Sequence, residues 1–446
     1  MERRGQQVNV CPRQSISGTG GPESMKQEPK AIKYQSKTHR KLHTLINRVN
    51  EDTLMAAHKR QVADKATGID GVTKEVYGVY AQQRISNLVG RMKQFSYKPQ
   101  PVRRTYIPKA NGKLRPLGIP AYEDRLVQSV MADILNEVYE ERFCDCSYGF
   151  RPGRSAHDVV RYINETVMTK KVNWVLEADI KGFFDNVDHE WMMKFLEHDI
   201  EDRNFLRYIK RFLKAGFMED SERHDTDAGT PQGGQISPVL ANVYLHYVLD
   251  TWYMILLRKM CHGEVYYIRY ADDFLLMFQY ENEAKAVMKI LKERLEKFGL
   301  QVAEDKTRIL PFGRFAKWKD EFDFLGFTFY NAKSRNGRYR LGIRTSKKKL
   351  KVKQQEIKNW LRSRLSMPVD ETMRLLNKKL MGHCQYYGVN GNLDALGKFY
   401  QYAYWRCLWM LRRRSQRGRR RLGQEKFAHI WRSYIQYQRI TVSIWT

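Results

Sequence analysis

Residues 264–278 read Glu-Val-Tyr-Tyr-Ile-Arg-Tyr-Ala-Asp-Asp-Phe-Leu-Leu-Met-Phe. Two apolar runs rich in aromatic and branched side chains favour strands. Between them stands one pair of adjacent carboxylates, Asp272 and Asp273. The pattern predicts a β-hairpin with both acids at its tip. Adjacent acids held between buried strands repel each other and lose hydration, which is costly unless a cation compensates. A divalent metal is the natural compensation, and hard oxygen ligands select Mg²⁺. Taken alone, the dipeptide reads more simply as a solvated turn. A third carboxylate and the basic character of the chain shift that balance.

The third carboxylate is Asp179, in Glu177-Ala-Asp-Ile-Lys-Gly-Phe-Phe-Asp-Asn-Val-Asp188, at the end of a buried strand expected over 172–178. Acids from two strands around one site are what two-metal phosphoryl transfer requires. One ion lowers the pKa of the attacking hydroxyl and the other stabilises the leaving oxygen. By itself Asp179 reads more simply as a helix cap after a strand. Asp185 and Asp188 read as turn and cap residues, and His189 as structural.

The chain has 446 residues with 79 Lys+Arg against 49 Asp+Glu, a net charge of +30. Such an excess points to a polyanion partner. A 42% hydrophobic fraction with 12% aromatics supports a large folded core, and the length suits roughly three domain-sized units. No run approaches the ~18 apolar residues of a spanning helix, and the N-terminus carries no apolar signal-peptide core. No membrane partner is expected, and the cytoplasm is the expected compartment. Cysteines at 11, 144, 146, 261, 384 and 407 form no Cys-x-x-Cys pair, and Cys144-Asp-Cys146 is too tight for the usual zinc spacing. Reduced thiols are expected, with no zinc-bearing nuclease module.

Residues 1–35 are polar and read as a flexible leader. Helical patterning runs from 42 to 65. A strand, an Asn111-Gly112 turn and a second strand occupy 103–120. Helices are expected over 124–142, with Leu126, Val130, Ile134 and Val138 inward, and through Val287, Leu291 and Leu295 up to Gly299. A basic, interrupted helical region runs from 350 to 411. Its aromatics Tyr400, Tyr402, Tyr404, Trp405 and Trp409 suit either core packing or stacking on unpaired bases. Arg412-Arg-Arg-Ser-Gln-Arg-Gly-Arg-Arg-Arg421 is the densest positive run, and such a run repels itself without a partner.

Six segments carry a family resemblance. They are Ser147-Tyr-Gly-Phe-Arg-Pro-Gly-Arg154, Asp179 with Phe183-Phe184, Gly229-Thr-Pro-Gln-Gly-Gly-Gln-Ile-Ser-Pro238, Tyr270-Ala-Asp-Asp273, Phe324-Leu-Gly-Phe327 and Leu380-Met-Gly-His-Cys-Gln-Tyr-Tyr387. In this order, over about 40 to 415, the chain resembles bacterial group II intron reverse transcriptases, also called intron-encoded maturases. His383 and Cys384 stand where the family's Gly-Trp-x-x-Tyr-Tyr element has its Trp and the next residue.

The resemblance implies an α+β right-hand polymerase with fingers, an antiparallel-sheet palm and a helical thumb. It divides the chain into a leader (1–35), N-terminal extension and fingers (36–160), palm with part of the fingers (161–340), thumb or maturase domain (341–411) and a basic C-terminal segment (412–446). That last segment reads as a reduced DNA-binding domain, with no separate endonuclease domain. Asp179, Asp272, Asp273 and the Ile180 carbonyl would hold two Mg²⁺, with Mn²⁺ as a substitute. Lys109, Arg115, Phe184, Gln232 and Lys306 would serve the incoming dNTP, Phe184 as the gate against a ribose 2′-OH and Lys306 beside the leaving pyrophosphate. Lys347, Lys348, Lys349, Lys351 and Lys353, with Arg412, Arg413, Arg414, Arg419, Arg420 and Arg421, would contact nucleic acid. The implied partners are a group II intron RNA, an RNA template with a DNA primer, target DNA near the nucleoid, and dNTPs; a homodimer is left open. A domesticated relative in repair or phage defence, a splicing chaperone without polymerase activity, and an RNA-making palm polymerase are the competing readings.

Overall fold

The computed structural model describes residues 41–108, 114–219, 222–226, 228–230, 233–316, 320–416, 420 and 422–445. The leader, the Asn111-Gly112 turn, Lys109, Gln232, Arg419 and Arg421 lie outside the described residues.

The helical pattern expected over 42–65 is broken in two. A single turn at Leu45–Arg48 is followed by α1 (Glu51–Arg60). Asn50 accepts the Thr53 N–H at 3.0 Å, and the Asn50 N–H donates to the Thr53 hydroxyl at 3.1 Å. This reciprocal cap restarts the helix. After α2 (Ala81–Lys93), β1 (Val102–Pro108) and β2 (Leu114–Ile119) pair antiparallel, as the sequence predicts. α3 (Tyr122–Glu140) buries Leu126, Val130, Ile134 and Val138, the stripe read from their spacing. α4 (Ala156–Thr169) opens on a Ser155/Asp158 capping box.

β3 (Trp174–Ala178) leads to α5 (His189–Asp199), capped by Asp188, and then α6 (Arg203–Leu213). β4 (Phe217–Glu219) and β5 (Glu222–His224) extend the first sheet in the order β2-β1-β4-β5. α7 (Ser237–Leu245) continues through π-helical turns toward Met260. β6 (Val265–Tyr270), β7 (Asp273–Phe278), α8 (Glu281–Lys297) and β8 (Arg308–Pro311) follow. The second sheet has the order β6-β7-β3-β8, antiparallel throughout.

This sheet is covered on both faces. Leu176, Tyr267, Phe274, Leu276 and Phe278 enter one core with α3, α5, α7 and α8. Val175, Ile268, Leu275 and Met277 enter another with α4 and a third sheet. Side chains alternate across a strand, so burial on both faces requires an unbroken apolar run. That is why Phe274–Phe278 reads Phe-Leu-Leu-Met-Phe. The third sheet comprises β9 (Glu321–Phe324), β10 (Phe327–Lys333) and β11 (Tyr339–Thr345). α9 (Lys347–Arg362), α10 (Val369–Tyr387), α11 (Leu393–Arg412) and α12 (Gln424–Tyr434) share a separate core that includes Ile357, Leu376, Leu380, Phe399, Cys407 and Phe427. The five described cysteines are free thiols. Among the described residues no helix is long and apolar enough to cross a membrane.

Candidate active site

Tyr270 pairs with Asp273, so β6 and β7 are joined by the two-residue turn Ala271-Asp272. Ala271 holds a φ of 56°, in the left-handed region that such hairpin turns demand. An alanine there costs about 1 kcal/mol, so the surroundings must impose it. Gly149, from the Ser147–Arg154 segment, lies against this turn; a Cβ on it would stand 2.3 Å from the Ala271 nitrogen. The Arg269 guanidinium donates to the Ala271 carbonyl at 3.0 Å and to Asn242 Oδ1 at 2.9 Å, and the Asn242 amide donates to the Gly149 carbonyl at 2.8 Å. Arg269 and Asp250 are fully buried and form a two-pronged ion pair. Sequence reasoning missed Arg269, Asp250 and Asn242.

The register places the third acid. Ala178 of β3 pairs with Phe274 of β7, so Asp179 and Asp273 are the next opposed positions. Asp179, Asp272 and Asp273 thus converge at one end of the second sheet. Burial raises the Asp272 carboxyl above its ordinary range and nearby Asp179 adds to this, while Arg115 and Lys306 oppose it. Asp273 keeps solvent contact on one side, yet desolvation and then Asp272 and Asp179 push it up to about 7. Lys306 binds Asp179 directly. That bond is the main reason its ammonium is held above the usual lysine range. As they stand, the described side chains close no group of three or more His, Cys, Asp or Glu around a single point. A cation there would compete with Lys306 for Asp179. The donor set nonetheless suits a hard cation: carboxylate oxygens at one sheet end, where burial first and mutual repulsion second already raise two of their pKa values. Ile180 is buried beside this end of the sheet and bridges to Val302, while the Asp179 carbonyl accepts the Ala303 N–H.

Two cavities bear on the candidate residues, and the second reaches Asp273 itself. One, of about 370 Å³, lies between the first sheet and Phe184, with Pro116, Gly118, Gly229 and Thr230 in its wall. Phe183 packs inward against Tyr244, leaving Phe184 half-buried on the cavity side. Gly233, at φ 119°, approaches the Gly118 carbonyl so closely that a Cβ would stand 2.4 Å from it. The buried His189 ring binds the Gly229 carbonyl at 2.6 Å, the structural role read from the sequence. The other cavity, of about 660 Å³, runs from Asp273 to α9 and α10 and is lined by Lys349, Lys353, Lys379 and His383 among others. His383 stacks between Tyr387 and Phe399, and burial lowers its pKa to about 4.

The remaining basic candidates divide. Lys349 and Lys353 face this second cavity, whereas Lys347, Lys348 and Lys351 are exposed on other parts of α9. Arg412 donates to the Leu422 carbonyl, Arg413 lies over the Trp409 ring and Arg420 is exposed. Arg414 departs from the expectation for its run. Its guanidinium is spent on the carbonyls of Met367 and Arg364 and on the Thr372 hydroxyl, which makes it a brace between α10 and the end of α11.

A sequence profile of the reverse transcriptase (RNA-dependent DNA polymerase) family matches residues 107–329, half of the chain. A profile of the group II intron maturase-specific domain matches residues 350–427. The chain belongs to the group II intron reverse transcriptases. Among the relatives of this reverse transcriptase, the group II intron-encoded protein LtrA of Lactococcus lactis subsp. cremoris is 29% identical over 444 residues, covering 80% of this chain and 72% of LtrA. Protein YkfC of Escherichia coli (strain K12) is 34% identical over 304 residues, 61% of this chain and 78% of YkfC. Nuclear intron maturase 1, mitochondrial, of Arabidopsis thaliana is 33% identical over 114 residues, 25% of this chain and 16% of its own length. The reverse transcriptase match spans all three acids and the maturase match covers nearly all of α9, α10 and α11.

Proposed function

We propose that this reverse transcriptase copies RNA into cDNA at Asp179, Asp272 and Asp273, and that it binds its group II intron RNA to assist splicing and mobility. The observation that carries the reading is the β3–β7 register, which opposes acids 94 positions apart (273 − 179) at one sheet end. Two Mg²⁺ ions on the three carboxylates and the Ile180 carbonyl would offset phosphate charge and make the primer hydroxyl a better nucleophile. The chain's own residues do the rest. Arg115, within electrostatic reach of Asp272, and Lys109, which precedes it in the chain by six residues, hold the triphosphate. Lys306, which stands beside Asp179, is the proton donor to departing pyrophosphate.

In this assignment the first sheet with the N-terminal helices forms the fingers, the second sheet the palm, and α9–α11 the thumb. A cut end of target DNA primes synthesis during intron insertion. RNA-templated primer extension by the purified chain, with sequencing of co-purified RNA, tests both halves. Synthesis without a recovered intron would favour a domesticated role. Intron binding without synthesis would favour a splicing chaperone.

Phe184 forms the wall where a ribose 2′-OH would project. Phe184→Ala is expected to relax discrimination against ribonucleotides by roughly 10- to 100-fold, the range of one steric contact. The ratio of kcat/KM for dNTP and rNTP checks it, and an unchanged ratio removes Phe184 from the gate.

Lys349 and Lys353 are assigned to phosphate contacts from the second cavity. Replacing each with alanine is expected to lower the slope of log Kd against log salt for a template–primer by about 1, evenly across sequences. A slope that stays put would return these lysines to a solvated surface.

A further inference from the structure

The aromatics of α11 part into two sets. Tyr400 is buried, and Tyr404 packs on Phe427 and Trp431 of α12. Ala403, Cys407, Met410 and Leu411 complete the inward face. On the outward face, Trp405 is 47% exposed and Trp409 42% exposed. These two stand four residues apart, hence one above the other on the helix surface. Arg406 covers the Tyr402 ring at 5.1 Å and Arg413 covers the Trp409 ring at 4.5 Å. An open hollow of about 700 Å³, lined by Trp409, Arg412, Arg413, Ser415 and Gln416, continues the face past the helix end.

We infer that this outward face of α11 is a stacking platform for an unpaired segment of RNA. Trp405 meets Tyr404 edge-on and Trp409 carries Arg413, yet each indole keeps nearly half its surface in water at helical spacing while the opposite face of the helix supplies the core. Arginines poised over the rings place positive charge where a phosphate backbone would run, and base–aromatic stacking asks for no particular sequence. The strong positive balance of the chain selects a polyanion over an apolar peptide. A paired helix hides its base faces, so a duplex does not fit. The DNA of the proposed reaction is paired with its template or its complement, which leaves RNA as the source of unstacked bases. The inference rests on the reading that the chain binds an intron RNA, and it names the face and the state of the bases held there.

The test measures Kd by fluorescence anisotropy for oligoadenylate and for an abasic ribophosphate strand of equal length, which keeps the phosphates and lacks the bases. Wild type is expected to favour the base-bearing strand. Trp405→Ala with Trp409→Ala should weaken oligoadenylate binding about ten-fold or more per lost stack while leaving the abasic strand within about two-fold. The pair Trp405→Phe and Trp409→Phe keeps a ring and should retain most of the affinity, which separates lost stacking from misfolding. The inference is overturned if the alanine pair still favours oligoadenylate, or if it weakens both strands equally. Primer extension by wild type, run in parallel, reports on the polymerase reading independently.

Discussion

Asp272→Asn is expected to cut RNA-templated primer extension about 10³-fold or more while leaving the protein as stable as wild type, or more so. The first half follows from transition-state electrostatics. An amide preserves the shape of the side chain and removes its charge. Losing roughly 4 kcal/mol of stabilisation at a metal-assisted phosphoryl transfer corresponds to three decades in rate. The second half follows from the resting molecule. Burial and Asp179 already hold the Asp272 carboxyl above its usual range, and Asp272 in turn helps push Asp273 to about 7. Neutralising one member relieves the repulsion. Single-turnover extension beside a thermal melt reads both. Extension within ten-fold of wild type would remove Asp272 from the chemistry. Loss of activity together with a lower melting temperature would make its role structural.

The second large effect falls on Arg269. Its guanidinium and the Asp250 carboxylate are both fully buried, with contacts of 2.8 and 2.5 Å between them. The Tyr267 hydroxyl also donates to Asp250, and Arg269 reaches Ser147 Oγ at 2.8 Å. Burial alone would raise the Asp250 carboxyl; the guanidinium instead holds it down to about 2. A depressed carboxylate pKa contributes stability above the unfolded value near 4, and that contribution is lost as pH falls through the folded value. Arg269→Met leaves the buried Asp250 anion with the Tyr267 hydroxyl and the His246 imidazole 3.8 Å away as its remaining partners and is expected to destabilise the fold by about 3 kcal/mol at neutral pH. Without the guanidinium the Asp250 carboxyl is expected to rise from its depressed value, so the deficit shrinks as the pH falls and the group takes up a proton. Urea unfolding at neutral and mildly acidic pH shows both features. Adding Asp250→Asn should recover much of the loss. A deficit that is the same at every pH and unrelieved by the second substitution would mean that packing, not the charge pair, sets the cost.

The hairpin, the three acids and the helix stripes were legible because burial writes directly into side-chain periodicity. Phe274–Phe278 is apolar at every position, and Leu126 to Val138 recurs every four residues. What stayed hidden depends on where distant elements meet. Arg269 interrupts an apolar strand and Asp250 an apolar helix, and a charge in such a run signals a buried partner. Nothing in the spacing shows that the two signals answer each other. Arg414 reads as one more cation in a positive run, and only the position of α10 turns it inward. The aromatics between 400 and 409 are ambiguous for a similar reason: a helix presents all its faces to the sequence, and α12 decides which is covered. At residue 50 a local capping pair overrode an otherwise continuous helical pattern.

The covering of the second sheet on both faces has a consequence for access. Helices close one side and a further sheet closes the other. Nothing as bulky as a double helix can lie flat upon such a sheet, so it must meet the sheet end-on, across the rim where the strands stop. Chemistry confined to a rim works on one short stretch of polymer at a time. Progress along a long strand must then come from the strand sliding past a stationary edge.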